Sequence, residues 1–150
     1  MKHALVLLLA GCATAPPSAT AVDRVLDDFH AAAAQADEER YFAHFASDAV
    51  FLGTDASERW NVAEFRDYAH PHFAAGRGWT YAPRDRHVTF SAGGDVAWFD
   101  ERLDNAGYGE VRGSGVLQRE RGVWRVAQYN LSFPIPNDLA ARVVELIRRR

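Results

Sequence analysis

Two adjacent carboxylates, Asp100 and Glu101, are the residues of this sequence best suited to acid–base chemistry. They fall in residues 96–104, a run that reads as a strand, and strand side chains alternate between faces. One face carries Trp98, Asp100, Arg102 and Asp104; the other carries Ala97, Phe99, Glu101 and Leu103. Glu101 is therefore the carboxylate expected inside. Buried without a cation, it would titrate high and act as a proton donor or poised base. An unpaired buried carboxylate is costly, so a structural ion pair is favoured, with Arg112 on the next strand as the candidate partner. Arg112 shares a face with Ser114, Val116 and Gln118, so polarity alone sends it outward. Gly113 and Gly115 leave room for a bulge that turns it in, or for a close backbone approach.

A second constellation is neutral. Alternation after Val123 places Trp124, Val126, Gln128, Asn130 and Ser132 on one side, and Arg125, Ala127, Tyr129 and Leu131 on the other. Gln128, Asn130 and Ser132 then form a row of donors and acceptors suited to orienting a carbonyl or hydroxyl in an apolar cavity, or to satisfying nearby backbone. Arg112 and Ser114 are further candidate ligand contacts. Among the aromatics, Tyr41, Phe45, Phe51, Trp60, Phe65, Tyr68, Trp79 and Phe99 are core or cavity wall. Trp60 and Tyr68 are the better ligand candidates, because each joins an apolar ring to a polar handle. His70 and His72 flank Pro71, and His44 lies further upstream, but nothing nearby completes a metal-ligand set, and no metal or cofactor is expected. Gly113-Ser114-Gly115 lacks the strand–turn–helix setting of a nucleophile elbow.

The single cysteine cannot form an internal disulfide, and its placement at Cys12 is the most specific signal in the chain. A basic start (Met1-Lys2-His3) leads into an apolar run, residues 4–11, too short to span a bilayer. Leu9-Ala10-Gly11-Cys12 resembles the lipobox of bacterial lipoproteins, which implies cleavage before Cys12 and acylation of its thiol and new amine. Several acyl chains make a stable anchor. Ala13 follows, with no Asp there to favour the inner membrane, so in a host with two membranes the periplasmic face of the outer one is expected. Residues 12–19 read as an uncharged, Pro-containing tether, and residues 20–150 as one domain.

With 48% hydrophobic and 25% charged residues, the chain is globular in composition, and a net charge of −3 argues against nucleic acid as a partner. The elements that must position the candidates are legible in outline. Val22, Val25, Leu26, Phe29, Ala33 and Ala36 form a helical stripe, with Thr20 as its expected cap. Asp37 opens a second helix, and residues 49–53 read as a strand. Asn61, with Glu64 three residues on, opens a third helix carrying Phe65, Ala69 and Phe73. Short strands at 79–81 and 86–90, separated by Pro83, lead into longer ones at 96–104, 111–119 and 123–133. Asn137 is expected to cap a last helix. Helices first and an antiparallel meander after them argue an α+β fold.

Trp60-Asn61-Val62-Ala63-Glu64-Phe65, Val96-Ala97-Trp98-Phe99, Arg112-Gly113-Ser114-Gly115-Val116-Leu117, Trp124-Arg125-Val126 and Tyr129-Asn130-Leu131-Ser132 together resemble the SnoaL-like branch of the nuclear transport factor 2 superfamily, over about residues 20–138. That resemblance implies a cone: N-terminal helices on a strongly curved, mainly antiparallel sheet, with a pocket between them and usually a homodimer. The superfamily holds isomerases, cyclases, dehydratases and hydrolases beside non-catalytic members, so fold does not choose function. The Asp base of the isomerases and the Asp–His pair of the dehydratases have no counterpart identified in the sequence. The leading expectation is a membrane-anchored, homodimeric pocket domain binding a small, largely apolar or aromatic molecule. The alternatives are an acid–base enzyme using Glu101 and a non-catalytic assembly module of the cell envelope.

Overall fold

The computed structural model describes residues 17–149, so Cys12 and the apolar run before it lie outside the described residues. The chain begins with α1 (Ala19–Ala34), which buries Val22, Leu26, Phe29, His30, Ala32 and Ala33. The helix starts at Ala19, inside the stretch read as tether, with Ser18 rather than Thr20 at its N-cap. A short α2 (Glu38–Phe42) follows, capped by Asp37, whose side chain accepts from the Arg40 amide at 3.2 Å. Then come β1 (Phe45–Leu52), the short β2 (Arg59–Asn61) and α3 (Val62–Ala74). The capping box expected from Asn61 and Glu64 is present, the two side chains reaching each other's amides at 3.0 and 2.9 Å.

The meander is β3 (Ala82–Phe90), β4 (Val96–Asn105), β5 (Gly109–Glu120) and β6 (Val123–Ser132). All six strands form one sheet in the order β2-β1-β6-β5-β4-β3. Every pairing is antiparallel except β1 with β6. Pro83 does not break the chain into two strands, because β3 is an edge strand, where a missing N–H costs no ladder bond. Residues 79–81, read as a strand, are not one. The sheet is curved and open, with the N-terminal helices on one face, so the fold is the α+β arrangement expected.

One irregularity in the sheet decides what β6 turns toward the helices, and a glycine on β5 permits it. In β6, Val116 pairs with Gln128 while Leu117 pairs with Val126, so Ala127 is an extra residue that reverses the alternation beyond it. Trp124 and Val126 point inward before the bulge, and Tyr129 and Leu131 after it. The face assignment read from uninterrupted alternation is therefore correct up to Val126 and inverted from Gln128 on. Next to the bulge, and paired with Tyr129, sits Gly115. A Cβ there would stand 2.1 Å from the Gln128 carbonyl oxygen, so the close approach of β5 and β6 requires glycine.

A last helix, α4 (Ala140–Arg148), begins three residues beyond Asn137 and buries none of its side chains; Leu146 and Ile147 are 59% and 62% exposed.

Candidate functional site

The helices close over the inner face of the sheet and leave a cavity of about 650 Å³. Its walls are mostly rings, and each is placed by an element built for another purpose. Phe29 is on the buried stripe of α1, Tyr41 on α2, Phe51 on β1, Trp60 on β2, and Phe65 and Tyr68 on α3. Trp79 and Tyr81 follow α3, and Tyr129 and Leu131 reach in from β6 because of the bulge. The rings pack on one another: Phe51 on Phe65 at 3.8 Å between centroids, Phe29 on Tyr41 at 4.5 Å, and Trp60 on Tyr68 at 4.7 Å. Such stacked rings hold their shape without a ligand, which lowers the ordering cost of binding one.

Beneath this wall lies a polar cluster. Glu101 is fully buried, as the alternation of β4 requires, and Asp100 faces solvent. Its partners are His30 and Arg86, not Arg112. His30 Nε2 lies 2.7 Å from Glu101 Oε1, and Arg86 Nε donates to Oε2 at 2.7 Å. The Tyr129 hydroxyl is 3.5 Å from Oε1. Gly113, paired with Glu101 across the ladder, makes this meeting possible: a Cβ there would stand 2.5 Å from the Tyr129 hydroxyl and 3.0 Å from Oε1. Arg86 also reaches α1, donating to the Asp23 carbonyl at 3.2 Å and to Asp27 at 2.8 Å, so the cluster ties helix to sheet.

Burial pushes the Glu101 carboxyl upward, but the hydrogen bonds and charges of His30 and Arg86 outweigh it, and the group titrates below its ordinary value. Burial raises the phenols of Tyr41 and Tyr129 well above theirs, the Glu101 charge adding to the effect at Tyr129. Tyr81 is pushed up to about 12, again chiefly by burial. At neutral pH the cavity is thus lined by neutral phenols above a buried carboxylate. His30 lines the cavity; Glu101 lies behind it. The shortest link between Glu101 and a bound molecule is the imidazole, at 2.7 Å, with the Tyr129 hydroxyl at 3.5 Å as the other group between them.

Of the residues singled out from sequence, Tyr41, Trp60, Tyr68 and Trp79 line the cavity. Phe99 is buried against Tyr129, 5.9 Å between centroids, and is core. Arg112, Ser114, Gln128 and Asn130 lie on the opposite face of the sheet, Arg112 beside Arg102 and Ser132. Arg112 points outward because β5 is regular there, and the amides do so because Ala127 inverts the end of β6. His70 pairs with Glu38 at 2.7 Å, and His72 packs on Tyr68. His30 and Arg86 were missed, although each left a signal. His30 is four residues after Leu26 and three before Ala33, on the apolar stripe of α1, and Arg86 alternates with Val88 and Phe90.

The chain matches the model of the SnoaL-like domain over residues 22–136, and it belongs to that family. No match was found among curated proteins. Among solved structures it is similar to an NTF2-like protein of unknown function from Pseudomonas putida KT2440, with a TM-score of 0.65 and 14% identity over 79% of this chain and 88% of that one. A candidate dehydratase of the NTF2-like family from Streptomyces avermitilis gives a TM-score of 0.66 at 14% identity, over 78% and 96%. A candidate ketosteroid isomerase from Shewanella frigidimarina NCIMB 400 gives 0.58 at 19% identity, over 75% and 94%. At these identities the likeness is one of fold.

Proposed function

We propose that this protein is an exported, lipid-anchored pocket domain that binds one small, largely apolar or aromatic molecule. The observation that carries the reading is the aromatic-walled cavity of about 650 Å³, a size suited to a small organic ligand. Its wall is mostly apolar ring surface, which favours recognition by shape and ring contact. The lipobox-like Leu9-Ala10-Gly11-Cys12 supports export and anchoring at the cell envelope. A homodimer is supported by the apolar surface left on Trp98, 47% exposed on the outer sheet face, and along α4.

The first test is a native mass spectrum of the full chain purified from its own host. The expected species is a dimer carrying a discrete small-molecule mass, and after denaturation a chain starting at Cys12 with acyl groups attached. A monomer with no adduct, from protein that also fails to take up added aromatic compounds, overturns the binding reading. An unmodified N-terminus overturns the anchor.

One observation favours a second reading, in which the same cavity is catalytic. His30 faces the cavity with Glu101 hydrogen-bonded behind it, a pairing that orients an imidazole for proton transfer. Here Glu101 positions and His30 reacts, as befits an isomerase or dehydratase. The expected result is that His30→Gln lowers kcat about 100-fold or more on the recovered compound, with KM little changed. Full turnover by a folded His30→Gln protein overturns the reading.

A further inference from the structure

The charges along the cavity are one-sided. Among the described residues the lining includes Glu58 and Asp104 but no arginine or lysine, although arginine is abundant in the chain; its one basic side chain is His30, hydrogen-bonded to Glu101. Asp104 is on the outward row of β4, and Arg84 holds its carboxylate in a surface network with Arg102, Asp85 and Glu110, so the cavity's charge is set by Glu58. Among the described residues no cation pairs with Glu58, whose Oε2 accepts from the Asp55 amide at 3.0 Å. The Glu101 carboxylate is already balanced by Arg86. A bound anion would therefore meet the charge of Glu58 and no arginine or lysine, while His30 is engaged by Glu101.

The rings beside Glu58 are those whose faces attract cations most. Trp60 and Tyr68 stack with a 22° interplanar angle on the side of Glu58, and Tyr108 stands on the β4–β5 turn at the same mouth. Tyr68 and Tyr108 are 49% and 57% exposed, so their rings remain open to an incoming group. Indole and phenol faces near a carboxylate favour an ammonium group and its attached carbons, while the deeper Tyr41 and Phe65 suit an apolar body.

We propose that the cavity's ligand is an organic cation, a protonated or quaternary amine on an aromatic or alicyclic body, with its ammonium group among Glu58, Trp60, Tyr68 and Tyr108. The proposal rests on the pocket reading above and narrows its ligand class.

The test uses three compounds of one skeleton: 2-(1-naphthyl)ethylammonium, 2-(1-naphthyl)ethanol and 3-(1-naphthyl)propanoate. Each is titrated calorimetrically into the full-length protein at neutral pH. The expected order is ammonium, then alcohol, then carboxylate, with about tenfold between the first two. The ammonium-to-alcohol ratio should fall as salt is raised. It should also fall about threefold or more in Glu58→Gln, which keeps an acceptor for the Asp55 amide. Equal affinities, or a preference for the alcohol or the carboxylate, overturn the cation proposal while leaving a binding pocket in place. A ratio unchanged in Glu58→Gln overturns the assignment of the ammonium position. Binding of none of the three overturns the pocket reading and the proposal with it.

Discussion

Replacing Gly115 by alanine should lower stability by about 3 kcal/mol or more, and Tm by about 10 °C. The reason is local. The new Cβ would lie 2.1 Å from the Gln128 carbonyl oxygen and 3.0 Å from the Phe99 ring. A flexible side chain could swing away from such a contact; a backbone carbonyl in the ladder cannot. β5 and β6 are interior strands, each paired on both sides, so neither can retreat without disturbing the next. Gly107, in the turn before β5, is the control: its nearest neighbour to an added Cβ is 3.5 Å away, and Gly107→Ala should change stability by no more than about 0.5 kcal/mol. Thermal unfolding of the two variants beside the parent decides the matter. Equal melting temperatures would mean that the two strands do not approach each other so closely at the bulge.

The second large effect is expected at Arg86. Truncation to methionine leaves Glu101 buried with His30 and the Tyr129 hydroxyl but no arginine, and breaking a buried pair by removing one partner costs about 3–5 kcal/mol. The pH dependence carries the sign. In the parent the Glu101 carboxyl titrates below its ordinary value of 4.5, so its contribution is fully present above that value and is lost as pH falls through the folded-state pKa. In Arg86→Met burial remains while a charge and a hydrogen bond are gone, so the folded-state pKa rises. The variant then gains relative to the parent on acidification. Denaturant unfolding at a series of pH values should show a difference that is largest near neutrality and narrows as pH falls from the variant's raised folded-state pKa toward the parent's, which lies below 4.5. Adding Glu101→Met should recover part of the loss, because no orphaned charge remains. A single variant that stays within about 1 kcal/mol of the parent at every pH would show that Arg86 is not holding a buried carboxylate.

The fold could be read from the sequence because its signals are local and repeated. The stripe of α1, the Asn61–Glu64 box and the hairpin turns each sit within a few residues of what they determine. Burial of Glu101 was equally legible, since β4 alternates without interruption. The cluster around it was not. His30, Arg86 and Glu101 come from three elements, 71 and 15 residues apart along the chain, and no periodicity within one element reports a partner on another. What the sequence did carry was an anomaly. His30 and Arg86 are polar residues on faces otherwise reserved for the core, and burial of each demanded a partner. The polar face of β6 failed for a different reason. Alternation propagates a side assignment only while the ladder is regular, and an extra residue such as Ala127 leaves no mark in composition. The glycines opposite hinted at a close approach, but on the neighbouring strand.

That extra residue separates the length of β6 from the orientation of its side chains. Removing Ala127 would restore simple alternation and still leave Tyr129 and Leu131 facing the helices, because the bulge already seats them where a strand one residue shorter would. An aromatic floor would give way to Gln128 and Asn130 only if the same residues paired with β5 without a bulge. Insertions absorbed in this way let a strand lengthen without altering the pocket it lines. They also mean that counting alternate residues along two relatives of unequal strand length can place equivalent side chains on opposite sides of the same sheet.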